Sequence, residues 1–383
     1  MNISVKVLTT ADEFRLYKNE WAQLHKEAKG GPFSSFEWID CWNTTMLDQS
    51  TLPQIAVAFD GGKMAAAVPL GRRMASVSSR LKKLRRPQLT MLAQDRAGFH
   101  EIMMGQGQDA AVTAILDHLK TDAPAPYLDF SPLAASAGQD AWLSAARDSG
   151  LWTRQRVEIK ASFADLSDGW DAYLARRSAR FRKTLRQRIK KIDAANSEFR
   201  IAQDASAASA SIMEQALDLS AVSWKSDIGT DIGSKASDRA FMSSLFAELA
   251  PQGRMRVHLL MIEDKPAASS ICLIENNIVY ELVSDFDDQF AAFAPGRYAS
   301  SQAMKKAALE GRTGFDMLRS THFTDSFADR FIDHSRLTTA LRPNISQMVH
   351  MTEAGARSLY RRFAGQRVRV QGRKKFFPKN QAE

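Results

Sequence analysis

The sequence predicts an α/β protein made of two similar domains, each a mixed, mostly antiparallel β-sheet flanked by helices. The chain of 383 residues is longer than one ordinary domain and suits two domains of about 150 to 190 residues each. Hydrophobic residues make up 44% and charged residues 25% of the chain, which is typical of globular proteins with a sizeable interior. The third observation is an internal repeat of one β-hairpin pattern, which decides the architecture.

Helical and strand patterns alternate along the first half of the chain. Residues 11–28 place Phe14, Tyr17 and Trp21 at three- and four-residue spacing, which predicts one amphipathic helix. A strand pair follows, because two apolar runs flank the turn Asp60-Gly61-Gly62. The remaining elements predicted here are an apolar-faced segment over 36–42, short strands at 88–92, 101–104 and 127–130, and a helix over about 110–120.

The second half repeats this order. Helices are predicted over 207–225 and 237–250, followed by a second hairpin and a strand at 277–286. Both hairpins read as strand, acidic turn, lysine, two alanines and strand, which indicates a duplication. The matching positions are Lys63 with Lys265, and Ala65-Ala66 with Ala267-Ala268, within segments 56–70 and 259–274.

The net charge of +9 is concentrated in three segments. Residues 72–86, 176–192 and 361–379 contain seven, nine and eight Lys or Arg and no acid, and the rest of the chain is acidic. Such local patches suit an anionic ligand or surface better than a protein wrapped in DNA. We predict an N-terminal domain at 1–168 without a cofactor, a C-terminal domain at 169–350 that includes a basic helix over 176–192, and a basic tail at 351–383.

Several classes of protein are disfavoured by what the sequence lacks. No run approaches the roughly 18 apolar residues of a membrane span, and the first residues do not resemble a signal peptide. Cys41 and Cys272 are too few for a disulfide framework or a zinc ligand set, so we expect a cytoplasmic protein without a metal. Motifs of dinucleotide enzymes, NTPases, zinc proteases and α/β-hydrolases are also missing from the sequence.

One loop in the second half has the features of an anion site. Pro295 and Gly296 interrupt the chain after a strand, and a helix with small residues in its first turn begins at Arg297. Free backbone N–H groups and the helix dipole at such a helix start attract phosphates. The candidate binding residues are Ala294, Pro295, Gly296, Arg297, Tyr298, Ala299 and Ser300.

The order of motifs over about 170–320 resembles a known enzyme family. These motifs are FRKTLRQR, SAVSWKS, DKPAASS, YELVSDFDDQFAAFAPGRY and GFDML. They are similar to the acetyltransferase-like (CelD-like) proteins linked to bacterial cellulose and exopolysaccharide biosynthesis, which belong to the GNAT superfamily. That group is akin to the FemAB peptidyltransferases, which also have two fused GNAT-like domains. The resemblance therefore implies tandem GNAT-like domains and transfer of an acyl group from coenzyme A, with acetyl-CoA as the expected donor, to an amine.

The resemblance also assigns roles to particular residues. The strand before the pyrophosphate loop lies beside the thioester in this superfamily, so Asp285 or Glu281 could be the catalytic base. Trp224 corresponds to a residue near the acceptor site. The sequence departs from the family after the final strand, where Arg319 and His322 stand in place of a glycine and a Tyr-Lys pair. We expect both residues near the substrate.

Three functions remain open on this reasoning. The first is a coenzyme A-dependent N-acyltransferase for a small amine or an envelope or polysaccharide precursor. The second is a FemAB-like aminoacyl-tRNA-dependent transferase, in which the 176–192 helix contacts tRNA or another polyanion through its phosphates. The third is a binding or scaffold protein that has kept the fold and lost the activity. The absence of the family's glycine and Tyr-Lys pair after the final strand favours this third function.

Overall fold

The structure is a computed structural model that describes residues 2–47, 51–76, 85–93 and 96–342. The predicted basic tail, 351–383, and the middle of the basic segment 72–86 lie outside these ranges. No described helix is long and apolar enough to cross a bilayer.

The described residues form twelve α-helices and thirteen β-strands, with short 3₁₀ helices at Pro32–Ser34 and Asp288–Phe293. The helices are α1 (Ala11–Arg15), α2 (Lys18–Glu27), α3 (Phe36–Thr45), α4 (Asp109–Asp122), α5 (Ala137–Asp148), α6 (Gly169–Arg176), α7 (Ala179–Asp193), α8 (Ala207–Val222), α9 (Trp224–Asp227), α10 (Ala236–Leu249), α11 (Pro295–Leu309) and α12 (His322–Asp325). The strands are β1 (Ile3–Leu8), β2 (Thr51–Asp60), β3 (Lys63–Ser76), β4 (Arg85–Met91), β5 (Met103–Met104), β6 (Tyr127–Leu133), β7 (Thr153–Asp165), β8 (Ser197–Ala202), β9 (Met255–Ile262), β10 (Lys265–Glu275), β11 (Ile278–Phe286), β12 (Gly314–Asp316) and β13 (Arg330–Ala340).

All thirteen described strands belong to one sheet, whose order repeats from its two edges inward. From one edge, β1, β2, β3 and β4 pair antiparallel, and β4 then pairs parallel with β6. From the other edge, β8, β9, β10 and β11 pair antiparallel, and β11 then pairs parallel with β12. The repeated order supports the duplication and confirms the predicted fold class of two mixed, mostly antiparallel units flanked by helices.

The two halves exchange their last strands at the centre of the sheet. Strand β7 ends the first half and pairs with β12 of the second half, whereas β13 ends the second half and pairs with β6 of the first. Strands β7 and β13 also pair with each other over ten residue positions. The division at residue 168 stays a prediction. The chain passes from β7 to α6 there, within one continuous hydrogen-bonded sheet.

Three predicted helices have different bounds in the structure, and local contacts explain each difference. The helix predicted over 11–28 is divided into α1 and α2 because the backbone of Tyr17 is not helical and its ring packs against Phe59 at 5.5 Å. The helix predicted over 207–225 ends at Val222, since the side chain of Ser223 caps α9. The basic segment 176–192 is divided because the side chain of Ser178 caps α7.

Four strands of the structure were not predicted from the sequence. They are β1, β7, β8 and β13, of which β7 and β8 have mixed exposure on both faces and so lack a clean apolar alternation. Helices α3 and α10 pack together on one face of the sheet, where the rings of Trp38 and Phe241 meet edge to face at 4.9 Å. This contact joins the two halves beside the candidate site.

Candidate active site

A gap opens in the sheet where β11 and β12 diverge. The two parallel strands pair only from Ile278 to Tyr280, and β11 then continues alone on that edge to Phe286 among the described residues. A cavity of about 1080 Å³ lies at this gap. Its walls come from β11, α7, α9, α10, the start of α11 and the 317–324 segment, and the first half contributes Trp38 and residues 96–98.

A β-bulge at Leu282 changes which way the side chains of β11 face. The register with β10 passes from Cys272–Glu281 to Ile271–Val283, so Leu282 is the extra residue. Glu281 and Asp285 are four residues apart and would share a face in a regular strand. With the bulge, Glu281 contacts Ser300 of α11, while Asp285 contacts α9 on the opposite face. The two predicted catalytic carboxylates therefore reach the cavity from opposite sides of the sheet.

The side chain of Glu281 is buried and hydrogen-bonded. Its Oε1 accepts hydrogen bonds from the hydroxyls of Ser270 and Ser300, both at 2.7 Å. Burial raises the pKa of Glu281, and these two hydrogen bonds oppose the rise. Ser300, predicted as a coenzyme ligand, thus uses its side chain to position Glu281.

Asp285 is fully buried and faces one cation. The Nζ of Lys225 lies 2.7 Å from its Oδ1 and also donates to the backbone oxygen of Ser284 at 2.9 Å. The contact with Lys225 lies outside hydrogen-bond geometry, and neither carboxylate oxygen has a hydrogen-bond partner among the described residues. Asp285 therefore keeps lone pairs that can accept a proton or a hydrogen bond from a substrate.

The start of α11 presents free backbone amides to the cavity. Ala294 adopts a left-handed conformation (φ 50°) that turns the chain into the helix, and Pro295 is the first helical residue. No described side chain caps this end, so the N–H groups of Gly296 and Arg297 remain available for a ligand. Space at Gly296 is limited by the protein itself, because an added Cβ would lie 3.3 Å from Cδ1 of Phe286.

The predicted coenzyme residues divide into two groups. Ala294, Pro295, Gly296 and Arg297 line the cavity. Tyr298 and Ala299 are buried beside it among apolar residues, and the ring of Tyr298 packs edge to face against Phe199 at 5.9 Å.

Three arginines line the cavity without a carboxylate partner among the described residues: Arg188, Arg297 and Arg319. Of these, Arg188 and Arg297 lie close together at the α11 end. The guanidinium of Arg297 lies 5.2 and 5.0 Å from the ring centres of Phe323 and Phe327, which fixes its position. Burial, followed by the charge of Arg188, lowers the pKa of Arg297. Two like charges kept close in a partly buried place indicate that this end of the cavity is built for an anion.

The opposite side of the cavity is electrically balanced. The charge of Lys225 is matched by Asp285, and that of Arg96 by Asp238. Asp238 is almost fully buried, and the Nε of Arg96 donates to its Oδ1 at 2.8 Å. Trp224 lies at the rim of the cavity with 45% of its surface exposed, and the predicted residue His322 is also among the lining residues.

The corresponding region of the first half lacks these features. Thr90 of β4 pairs with Asp129 of β6 in the same way as Tyr280 of β11 pairs with Asp316 of β12. Met91, which follows Thr90, therefore occupies the position that Glu281 has in the second half. Helix α4, the counterpart of α11, has Asp109 in its first turn, and Glu27 and Asp60 line the nearby pocket. These acids disfavour phosphate there.

Asp316 differs from its counterpart in the first half. Asp129 is paired with the guanidinium of Arg336, whereas the one hydrogen-bond donor to Asp316 among the described residues is the backbone N–H of Leu318, at 2.7 Å from its Oδ1. Burial raises the pKa of Asp316 to about 6, against an ordinary value of 3.8. The folded protein thus holds this proton more tightly than the unfolded chain does, and stability decreases as pH rises from about 4 to 6.

We expect Asp316→Asn to remove this part of the pH dependence. A shift of roughly two pKa units corresponds to about 3 kcal/mol of unfolding free energy at most. Urea denaturation of both proteins at pH 4.5, 5.5 and 6.5 measures it. The stability of the variant relative to the original should increase with pH, and parallel pH profiles would contradict the assignment.

Sequence reasoning missed Arg188, Lys225 and Arg96. Arg188 is three residues from the apolar position Leu185, at the edge of the apolar stripe of α7, and this was the available signal. Lys225 directly follows the predicted Trp224. Arg96 carried no signal, because its partner Asp238 is 142 positions away.

Comparisons with known proteins agree with this geometry. Residues 179–328 match the family model described as acetyltransferase (GNAT) domain. Among solved structures, FemX covers 88% of this chain and 97% of its own at 10% identity, with a TM-score of 0.58. L-PGS from Bacillus licheniformis covers 87% and 94% at 10% identity, with a TM-score of 0.52.

A conserved protein of unknown function from Bacteroides thetaiotaomicron covers 88% of this chain and 100% of its own at 11% identity, with a TM-score of 0.53. At these identities the likeness concerns the fold. No curated protein matches the sequence. Residues 179–328, which carry most of the cavity, are therefore similar to a GNAT acetyltransferase domain.

Proposed function

We propose that the protein is an acyl-CoA-dependent N-acyltransferase that acts on an amino group of a small molecule or of an envelope or polysaccharide precursor. The observation that carries this proposal is the two-sided cavity at the divergence of β11 and β12. One side offers arginines without a carboxylate partner among the described residues and a helix start, and the other offers the carboxylate of Asp285. Donor and acceptor would enter from opposite faces and meet at the gap.

The residues on the α11 side fit the phosphates of coenzyme A. The free amides of Gly296 and Arg297 would bind the pyrophosphate, and the guanidinium groups of Arg188, Arg297 and Arg319 would add charge-assisted hydrogen bonds. Unpaired backbone groups on the free edge of β11 beyond Tyr280 would hold the thioester arm. This arrangement orients the thioester carbonyl at the gap, which is the main requirement of the reaction.

The residues on the opposite side would prepare the nucleophile. The amine nitrogen attacks the thioester carbonyl carbon, a C–N bond forms, and the C–S bond breaks. Asp285 takes the proton that the amine loses, and the leaving thiolate of coenzyme A receives a proton to become the free thiol. Lys225 would hold Asp285 in place before the amine arrives.

Calorimetric titration with coenzyme A tests the donor site. We expect about one site per chain, because the first half has acids where the second half has arginines. Binding should weaken with added salt, as for other sites that depend on phosphate contacts. Two equal sites per chain would contradict the asymmetry. Absence of binding would refute the acyl-CoA proposal and favour the scaffold function.

A FemAB-like aminoacyl-tRNA-dependent transferase is the second candidate, favoured by one surface of α7. Arg180, Lys183, Arg186 and Lys190 are exposed along this helix, where they could contact phosphates. Other basic residues of the segment are engaged: Arg182 donates to carbonyl groups at the end of α6, and Lys191 donates to Ala292. Tight tRNA binding without coenzyme A binding would favour this candidate.

A further inference from the structure

The acceptor side of the cavity has an apolar, aromatic wall. We call this part the acceptor chamber and define it by Trp38, Ile232, Phe241, Met242, Val283 and Leu318, which all line the cavity. Each of these six residues is buried against the largest hydrophobic cluster of the described protein. The bulge at Leu282 contributes here, because it turns Leu282 and Val283 toward the same side.

The charges around the acceptor chamber are already neutralised. Lys225 and Arg96 each face a buried carboxylate, Asp285 and Asp238 respectively. A substrate body with charged or strongly hydrated groups besides the reacting amine would lose water in the chamber without gaining an unpaired countercharge, and that loss disfavours its binding. An apolar body would instead displace water from apolar walls and gain affinity.

One further feature describes the occupant. At the rim, Trp224 exposes 45% of its surface, and its ring can cover a flat or aliphatic group on its way in. This feature suits a ligand with a large apolar part.

We propose that the acceptor is a primary amine borne on an apolar body, such as an arylalkyl or alkyl amine, rather than an amino sugar or an amino acid. This inference rests on the proposed acyltransferase function and names its substrate class. The amine nitrogen reaches Asp285 at the gap, and the apolar body occupies the acceptor chamber.

Acetyl transfer to a panel of amines tests the substrate class. Phenethylamine and hexylamine represent apolar acceptors, and glucosamine and glycine represent polar ones, with acetyl-CoA as donor and thiol release as readout. We expect kcat/KM to be about 50-fold higher or more for the apolar amines, from burial of their hydrocarbon parts. Higher values for glucosamine or glycine would overturn the proposal.

Trp224→Ala and Val222→Ala form a matched pair of variants. Both residues are exposed apolar side chains at the end of α8 and the start of α9, at 45% and 66% exposure, but only Trp224 lines the cavity. Trp224→Ala should raise KM for phenethylamine about tenfold and leave the Kd of coenzyme A unchanged. Val222→Ala should leave both unchanged. Equal effects of the two substitutions would overturn the role of Trp224.

Calorimetry separates failure of this inference from failure of the proposed function. Phenethylamine is titrated into the protein already saturated with coenzyme A. If coenzyme A binds and phenethylamine does not, the acyl-CoA proposal stands and the apolar acceptor is refuted. If coenzyme A itself does not bind, both proposals fail.

Discussion

Replacing Arg188 and Arg297 together by methionine should raise the Kd of coenzyme A roughly 150- to 20,000-fold. Each guanidinium would contribute about 1.5 to 3 kcal/mol through charge-assisted hydrogen bonds to phosphate. The fold should tolerate the change, because neither side chain has a carboxylate partner among the described residues and burial with like charge lowers the pKa of Arg297. Methionine keeps apolar contact with Phe323 and Phe327. Calorimetry gives the Kd, and urea denaturation checks the fold.

Arg180→Met with Lys190→Met is the matched control for this experiment. It likewise removes two positive charges, both from α7, but both side chains are exposed and neither lines the cavity. The control should change the Kd of coenzyme A by less than about threefold in 0.15 M salt, where distant exposed charges are screened. A similar rise in the Kd of coenzyme A in both double variants would show that the net charge matters, and that the arginine pair has no specific role.

The duplication within the fold could be predicted from the sequence, because the repeated pattern that indicates it is local. The hairpins β2–β3 and β9–β10 each lie within one continuous stretch of chain, and their turns and alternation can be read directly. The exchange of β7 and β13 could not be read in this way. Their pairing partners lie far away in the chain, and much of β7 is exposed on both faces.

The position of the candidate site could be predicted from the sequence, but the directions in which its two carboxylates face could not. The loop at 294–297 follows from proline, glycine and small residues, and the structure places it at the cavity. The opposite facing of Glu281 and Asp285 depends on the bulge at Leu282, which is set by the register with β10 and has no signature in the sequence. A regular strand would have placed both carboxylates on one face.

The role of Arg188 illustrates another limit of sequence reasoning. Nine basic residues crowd segment 176–192, and their spacing does not distinguish those that face solvent from those that face a cavity. The structure makes this distinction, since Arg188 is partly buried and lines the cavity while Arg186 is exposed. Packing of α7 against α11, a distant element, decides which arginine faces the cavity.

Asp285→Asn should reduce acetyl transfer on the order of 100- to 10,000-fold while coenzyme A still binds. Asparagine has nearly the same shape but cannot take the proton that the amine loses, and general base catalysis is typically worth that factor. The Kd of coenzyme A should be unchanged, because Asp285 contacts α9 and the donor arginines lie on the α11 side. Lys225 is partly exposed, so it can turn to solvent when its partner becomes neutral. Thiol release at saturating acetyl-CoA measures the change.

Glu281→Gln is the comparison that decides between the two carboxylates. Glutamine can still accept the hydrogen bonds from Ser270 and Ser300, so the local structure should persist. If Asp285 is the base, Glu281→Gln has the smaller effect on kcat, and the reverse order would assign the base to Glu281. The pH profile gives an independent criterion. Without its base, the Asp285→Asn variant depends on amine that is already deprotonated in solution, so its rate should continue to rise with pH toward the pKa of the acceptor amine. A profile that stays parallel to that of the original protein would mean that Asp285 positions Lys225 and takes no proton.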